Sequence, residues 1–162
     1  MSLKNASLEK GLSPVGLEQT IGYRFENQAL LRQALTHLSY AHEKQTEANA
    51  RLALLGDSLL NMTFTWKLYQ QDPNATPGQL TERRKSYVSQ GALCRLATEI
   101  DLERYLFLGN GEIRVSPRML ADAFESLVGA IFLDGGFEAV NPFLDRAFGQ
   151  IEKDEKGGSR PC

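Results

Sequence analysis

Cysteine is scarce in this 162-residue chain: only Cys94 and Cys162 occur, and neither has a CxxC or CxxH partner. That leaves no zinc-ligand spacing, argues against a disulfide framework and suits a reducing compartment. Histidine is equally rare. His37 and His42 have no metal-ligand partners at suitable spacing and are assigned loop or structural roles. No apolar run approaches the 18 residues of a membrane span, and the first residues lack a signal-peptide core. The expected location is cytoplasmic, or organellar if a transit peptide has been removed. Charge of one sign is also missing: 18 Lys and Arg face 20 Asp and Glu, a net of −2. Nucleic-acid binding therefore has no global electrostatic signature and requires a local patch. The chain shows no internal repeat and no convincing strand.

What is present is helical periodicity. With 42% hydrophobic and 23% charged residues the chain reads as globular, of a size for one core. A flexible N-terminus over 1–11, one domain over 12–153 and a linker-like tail over 154–162 are expected. Ser13 and Pro14 resemble a cap and first helical position, opening a short helix through Leu17 and Ile21 that ends near Gly22. Leu30, Leu31, Ala34 and Leu35 give a helical stripe over about 27–36, followed by a loop at 36–40. Residues 41–48 read as a connection or an early helical turn. The next helix, about 48–70, is apolar almost all round in its second half and predicts a central buried helix that takes Phe64 and Trp66 inside. Thr76, Pro77 and Gln79 have capping-box spacing. The helix they open runs to about Glu99, with Ser89, Gln90 and Gly91 as a point of division and Cys94 as core filling. Gly109, Asn110 and Gly111 read as a turn. Ser116 and Pro117 open a further helix that Asp134, Gly135 and Gly136 end, and a last amphipathic helix reaches about 153. The predicted fold class is all-α.

Two stretches organise the chain. In the first, Asp57 lies among Leu54, Leu55, Leu59 and Leu60; in the second, Asp122 and Glu125 precede Leu127, Val128 and Ile131. A spacing of three places Asp122 and Glu125 on one helix face. A carboxylate turned towards a core is costly unless a metal ion or a cation pairs with it. Gly56 and Gly129 sit inside these helices, where glycine costs roughly 1 kcal/mol relative to alanine. Such glycines mark places where a second backbone comes close. The pattern predicts two helices crossing with their acids converging.

The segment from Asn49 to Ser58 resembles the signature of the ribonuclease III family, and that from Met119 to Gly136 is similar to its second acidic motif. Leu35 to His37, Arg84 to Ser89 and Leu108 to Glu112 fall in the family's order and spacing. The resemblance covers roughly 14–152. It implies an all-helical endonuclease fold that cleaves double-stranded RNA as a homodimer with Mg²⁺, for which Mn²⁺ can substitute. It also implies that Asp57, Asp122 and Glu125 bind metal, with Asp57 and Glu125 catalytic. The basic run Arg83, Arg84 and Lys85 is the candidate phosphate-binding edge, beside the plainer reading of a solvated helix face.

The chain departs from the family at Ala50 and Ala53, where glutamates are usual, and at Pro77, where many members carry a further glutamate. Position 53 lies one turn before Asp57, and the family uses it for a metal-binding carboxylate. The Mini-ribonuclease III branch has alanine there too and is catalytic. Family members usually continue into a double-stranded RNA-binding domain, so the resemblance is to the nuclease domain alone, as in the Mini-type form or a truncated chain. The alternative is a catalytically impaired member that binds double-stranded RNA or supports ribonucleoprotein assembly.

Overall fold

The computed structural model describes residues 14–157, apart from the side chain of residue 155. Seven α-helices and one 3₁₀ turn occupy them, in the order α1 (Val15–Ile21), α2 (Gln28–Ala34), α3 (Leu38–Lys44), α4 (Ala50–Gln71), α5 (Pro77–Tyr87), α6 (Gln90–Glu99), the turn Leu102–Tyr105 and α7 (Pro117–Gly157). The only strand-like pairing among them is an isolated bridge between Thr36 and Phe107. The all-α expectation holds.

Local chemistry sets most boundaries. Gly22 adopts φ +67° and closes α1 as a left-handed cap, a conformation glycine reaches without steric cost. Thr76 and Gln79 form the predicted capping box at the start of α5, and Ser89 caps α6 by accepting from the amide of Ala92. The expected division at Ser89–Gly91 is therefore real. The predicted cap at Ser13 lies outside the described residues. The expected loop at 36–40 is shorter than predicted, since α3 begins at Leu38. Extended backbone at His37 lets its Nδ1 accept from the Ser39 amide at 3.3 Å and cap the helix, a role rare enough for histidine to escape a sequence reading.

α7 is broken at Gly136, whose φ of +68° and ψ of −162° leave the helical region, as the Asp134-Gly135-Gly136 signal requires. Asp134 uses the break to clamp the start of α2. Its carboxylate accepts from Tyr23 Oη (2.7 Å) and the amides of Glu26 (2.8 Å) and Asn27 (2.9 Å), the last of these the cap residue of α2. Burial opposes its charge, yet the bonds from Tyr23, Asn27 and Glu26 outweigh that and hold its pKa below the usual carboxylate value. Burial, helped by the bond to Asp134, pushes the Tyr23 hydroxyl up to about 12. The stability this clamp supplies is present above the ordinary carboxylate pKa and is lost as pH falls through the depressed one. Asp134→Ala is expected to cost about 2 kcal/mol at pH 7, from loss of charge-assisted hydrogen bonds at a partly exposed site. Urea unfolding at pH 7 and at pH 3 checks this, since the difference must shrink at the lower pH.

The core lies between α4, α6 and α7, with α2 also packed on α7. Ser126, fully buried, ties α2 to α7 by donating to the carbonyl of Ala34 at 2.8 Å. Cys94 is fully buried, as core filling requires, but it is disulfide-bonded and not a free thiol, which departs from the expected absence of disulfides. By length and composition α7 could cross a membrane, although Leu127, Val128 and Ile131 spend its apolar face inside the protein. α4 corrects a second expectation. Phe64 is buried, but Trp66 is 58% exposed, and Leu54, Met62 and Tyr69 are exposed with it along one side of the helix. A helix apolar almost all round in its second half was expected to be enclosed; this one is enclosed where it meets α7 and α5, so a second apolar face is left outside.

Candidate active site

The site is made where α4 crosses α7. A Cβ on Gly56 would stand 1.7 Å from the Glu125 carbonyl oxygen, and one on Gly129 would stand 2.3 Å from that of Leu52. Both glycines are thus contact points between two backbones, as their placement in apolar helices predicts. The residue after Gly56 is Asp57, and the residue it touches is Glu125, so the crossing itself delivers one acid of each helix to the other.

Electrostatics reports the convergence. Glu125 has its pKa raised from 4.5 to about 7, first by burial and then by the negative charges of Asp57 and Asp122. All three predicted acids therefore share one locus. Little neutralises them. Arg118 approaches Asp122 only to 3.9 Å, one turn away on α7, and its side chain is mostly exposed. Asp57 is instead held by an amide: Asn61 Nδ2 donates to Asp57 Oδ1 at 2.8 Å and to the Asp57 carbonyl oxygen at 2.8 Å. The sequence reading missed Asn61, although its position four residues after Asp57, on the same helix face, was the available signal.

The donors are all oxygens, the set that Mg²⁺ prefers and completes with water and phosphate. Asp57 and Glu125 have no ion-pair partner among the described residues and Asp122 has Arg118 at 3.9 Å, so a divalent ion would supply counter-charge that the protein leaves incomplete. Among the described residues no three Asp, Glu, His or Cys side chains close into a ready cage, so protein donors would supply only part of the shell. Ala53, buried one turn before Asp57, adds no donor, and Ala50 is exposed. Pro77 occupies the first position of α5, where it serves the capping box.

The basic run is divided by the helix. Arg83 lies 3.9 Å from Asp72 and 3.5 Å from Gln71, and Lys85 pairs with Glu82 at 2.7 Å on the exposed side of α5. Arg84 is half-buried, with its Nε buried and lacking a hydrogen-bond partner. Lys85 is the exposed member of the run, while Arg83 and Arg84 are both half-buried. Glu43 pins the Gly109–Gly111 turn by accepting from the amide of Asn110 at 2.7 Å, and a cavity of about 280 Å³ between α1, α6 and α7 is lined by none of the three acids.

A family model for ribonuclease-III-like domains matches residues 27–150. Ribonuclease 3 of Oleidesulfovibrio alaskensis is 46% identical over 138 residues, covering 82% of this chain and 60% of that protein. Ribonuclease 3 of Bdellovibrio bacteriovorus is 41% identical over 138 residues, covering 82% and 59%. The chain therefore spans about three fifths of the length of these curated relatives. A solved nuclease domain of ribonuclease III from Campylobacter jejuni, described for structural flexibility in a region involved in dimer formation, superposes with a TM-score of 0.80 at 29% identity, over 85% of this chain and 97% of that one. With the crossing helices and their acids in the matched region, the chain belongs to the ribonuclease-III-like family.

Proposed function

We propose that this chain is the nuclease domain of a ribonuclease III-type endoribonuclease, spanning about 12–153. It hydrolyses double-stranded or structured RNA with Mg²⁺ and leaves 5′-phosphate ends, in ribosomal or other precursor processing in the cytoplasm. The observation that carries this reading is the mutual repulsion of Asp57, Asp122 and Glu125 at the α4–α7 crossing, where Arg118, 3.9 Å from Asp122 and mostly exposed, is the one cation paired with them among the described residues.

Asp57, Asp122 and Glu125 are the residues that hold the ion, and Mn²⁺ can replace Mg²⁺. A bound divalent ion supplies Lewis acidity for phosphodiester hydrolysis. Glu125, whose proton affinity near neutrality is set first by burial and then by the other two acids, is placed to exchange a proton with an attacking water. The absent carboxylate at Ala53 leaves one more ligand position to water, which weakens ion binding without removing the site. Arg83 and Lys85 meet RNA phosphates, which dominate recognition of an RNA duplex together with its shape and 2′-hydroxyls.

The exposed side of α4 supports a homodimer. Leu54, Met62, Trp66 and Tyr69 expose large apolar side chains in one stripe, and pairing two such stripes about a two-fold axis removes them from water. The dimer then offers one set of acids to each RNA strand.

The test is cleavage of a generic double-stranded RNA in Mg²⁺ and then Mn²⁺, beside an Asp57→Asn, Glu125→Gln double variant. The double variant is expected to lose roughly three orders of magnitude or more in rate. No cleavage by the wild-type chain in either metal, with RNA still bound, would establish instead the impaired binder to which Ala53 points.

A further inference from the structure

Asn61 follows Asp57 by one turn of α4 and is half-buried beside it. Its Nδ2 donates to two acceptors, Asp57 Oδ1 and the Asp57 carbonyl oxygen, each at 2.8 Å. The orientation of the amide is therefore dictated: the NH₂ group faces Asp57 and Asn61 Oδ1 faces away. The pair of bonds ties the carboxylate to its own main chain and limits its rotation. Such a restraint has a purpose here. Asp122 and Glu125 carry the same charge as Asp57, and like charges drive a mobile carboxylate away from its neighbours towards water. No ion pair among the described residues holds Asp57 against that repulsion.

We propose that Asn61 is a positioning residue for the metal site: its amide occupies Asp57 Oδ1, holds the carboxylate at the crossing with Asp122 and Glu125, and leaves Oδ2 free to ligate the divalent ion. This rests on the metal-dependent reading of the site. A residue that orients a ligand contributes to affinity by preventing the ligand from having to be ordered when the ion arrives.

The experiment compares wild type with Asn61→Leu, which keeps the size and removes the donor, and with Asn61→Gln, which keeps a donor on a longer stem. Mn²⁺ affinity is measured by calorimetry without RNA, melting temperature in chelator, and kcat and KM on double-stranded RNA in Mn²⁺. Asn61→Leu is expected to weaken Mn²⁺ binding about 10-fold and to lower kcat with little change in KM. Its melting temperature in chelator stays that of wild type, and Asn61→Gln recovers part of the affinity. Wild-type affinity and kcat in Asn61→Leu overturn the positioning role while leaving the metal site standing. Losses that follow a lowered melting temperature, or that Asn61→Gln shares in full, overturn it as well. A wild-type chain that neither binds Mn²⁺ nor cuts RNA removes the metal-site reading, and the role of Asn61 with it.

Discussion

Gly56→Ala is expected to cost about 4 kcal/mol or more, or to prevent folding, although helix propensity alone predicts a gain of roughly 1 kcal/mol. The added Cβ would meet the Glu125 carbonyl oxygen at 1.7 Å, and that atom belongs to a backbone that no rotamer change can move. α4 and α7 would have to separate, opening the largest packed surface in the domain. Gly149→Ala is the matched control: a Cβ there meets nothing within 4 Å, so the propensity gain should appear undiminished. Urea unfolding of the two variants decides the matter. Wild-type stability in Gly56→Ala would show that the two backbones do not approach so closely at Gly56. A folded but weakened variant should also separate Asp57 from Glu125 and bring the Glu125 pKa down from about 7 towards 4.5.

The second large effect belongs to Glu125 in the absence of metal. Its folded pKa, about 7, stands above its unfolded value of 4.5 because burial and the charges of Asp57 and Asp122 disfavour ionisation. The sign follows from proton counting. Below about pH 4.5 the carboxyl is neutral in both states and carries no penalty. Between 4.5 and 7 the unfolded chain releases its proton first, so stability falls as pH rises, and above 7 the loss levels off. Glu125→Gln removes the titration. In chelator the variant should match wild type at pH 4.5 and exceed it at pH 8 by about 1–2 kcal/mol, a figure reduced for partial solvent screening. Saturating Mg²⁺ at pH 8 should reverse the order, since the ion stabilises the wild-type cluster and finds a weaker one in the variant. Melting curves at the two pH values, with chelator and with Mg²⁺, read all four states. If Mg²⁺ leaves both melting temperatures unchanged, the three acids do not form an ion site.

Much of this was legible because it is local. Capping at Thr76 and Ser89, the break at Gly136 and the left-handed end at Gly22 follow from short-range hydrogen bonding and from the φ range open to glycine. The acids, too, were conspicuous as charges in apolar helical runs, and Gly56 and Gly129 as costly residues without a local reason. His37 failed the same treatment, since a ring nitrogen capping a helix leaves no distinct pattern in the sequence.

The sequence by itself determined that the chain is helical, where most helices start and stop, and that Asp57, Asp122 and Glu125 need a partner, because propensity, capping and the cost of a buried charge act over a few residues. Only the tertiary structure decided which face of α4 is enclosed, leaving Trp66 outside and Phe64 within, and that Asn61 restrains Asp57 while the Nε of Arg84 is buried. It also decided that two glycines 73 positions apart touch backbones across one crossing, joining the acids. Those outcomes depend on how two helices are packed, and a pattern that is apolar all round fixes no single side for the neighbour.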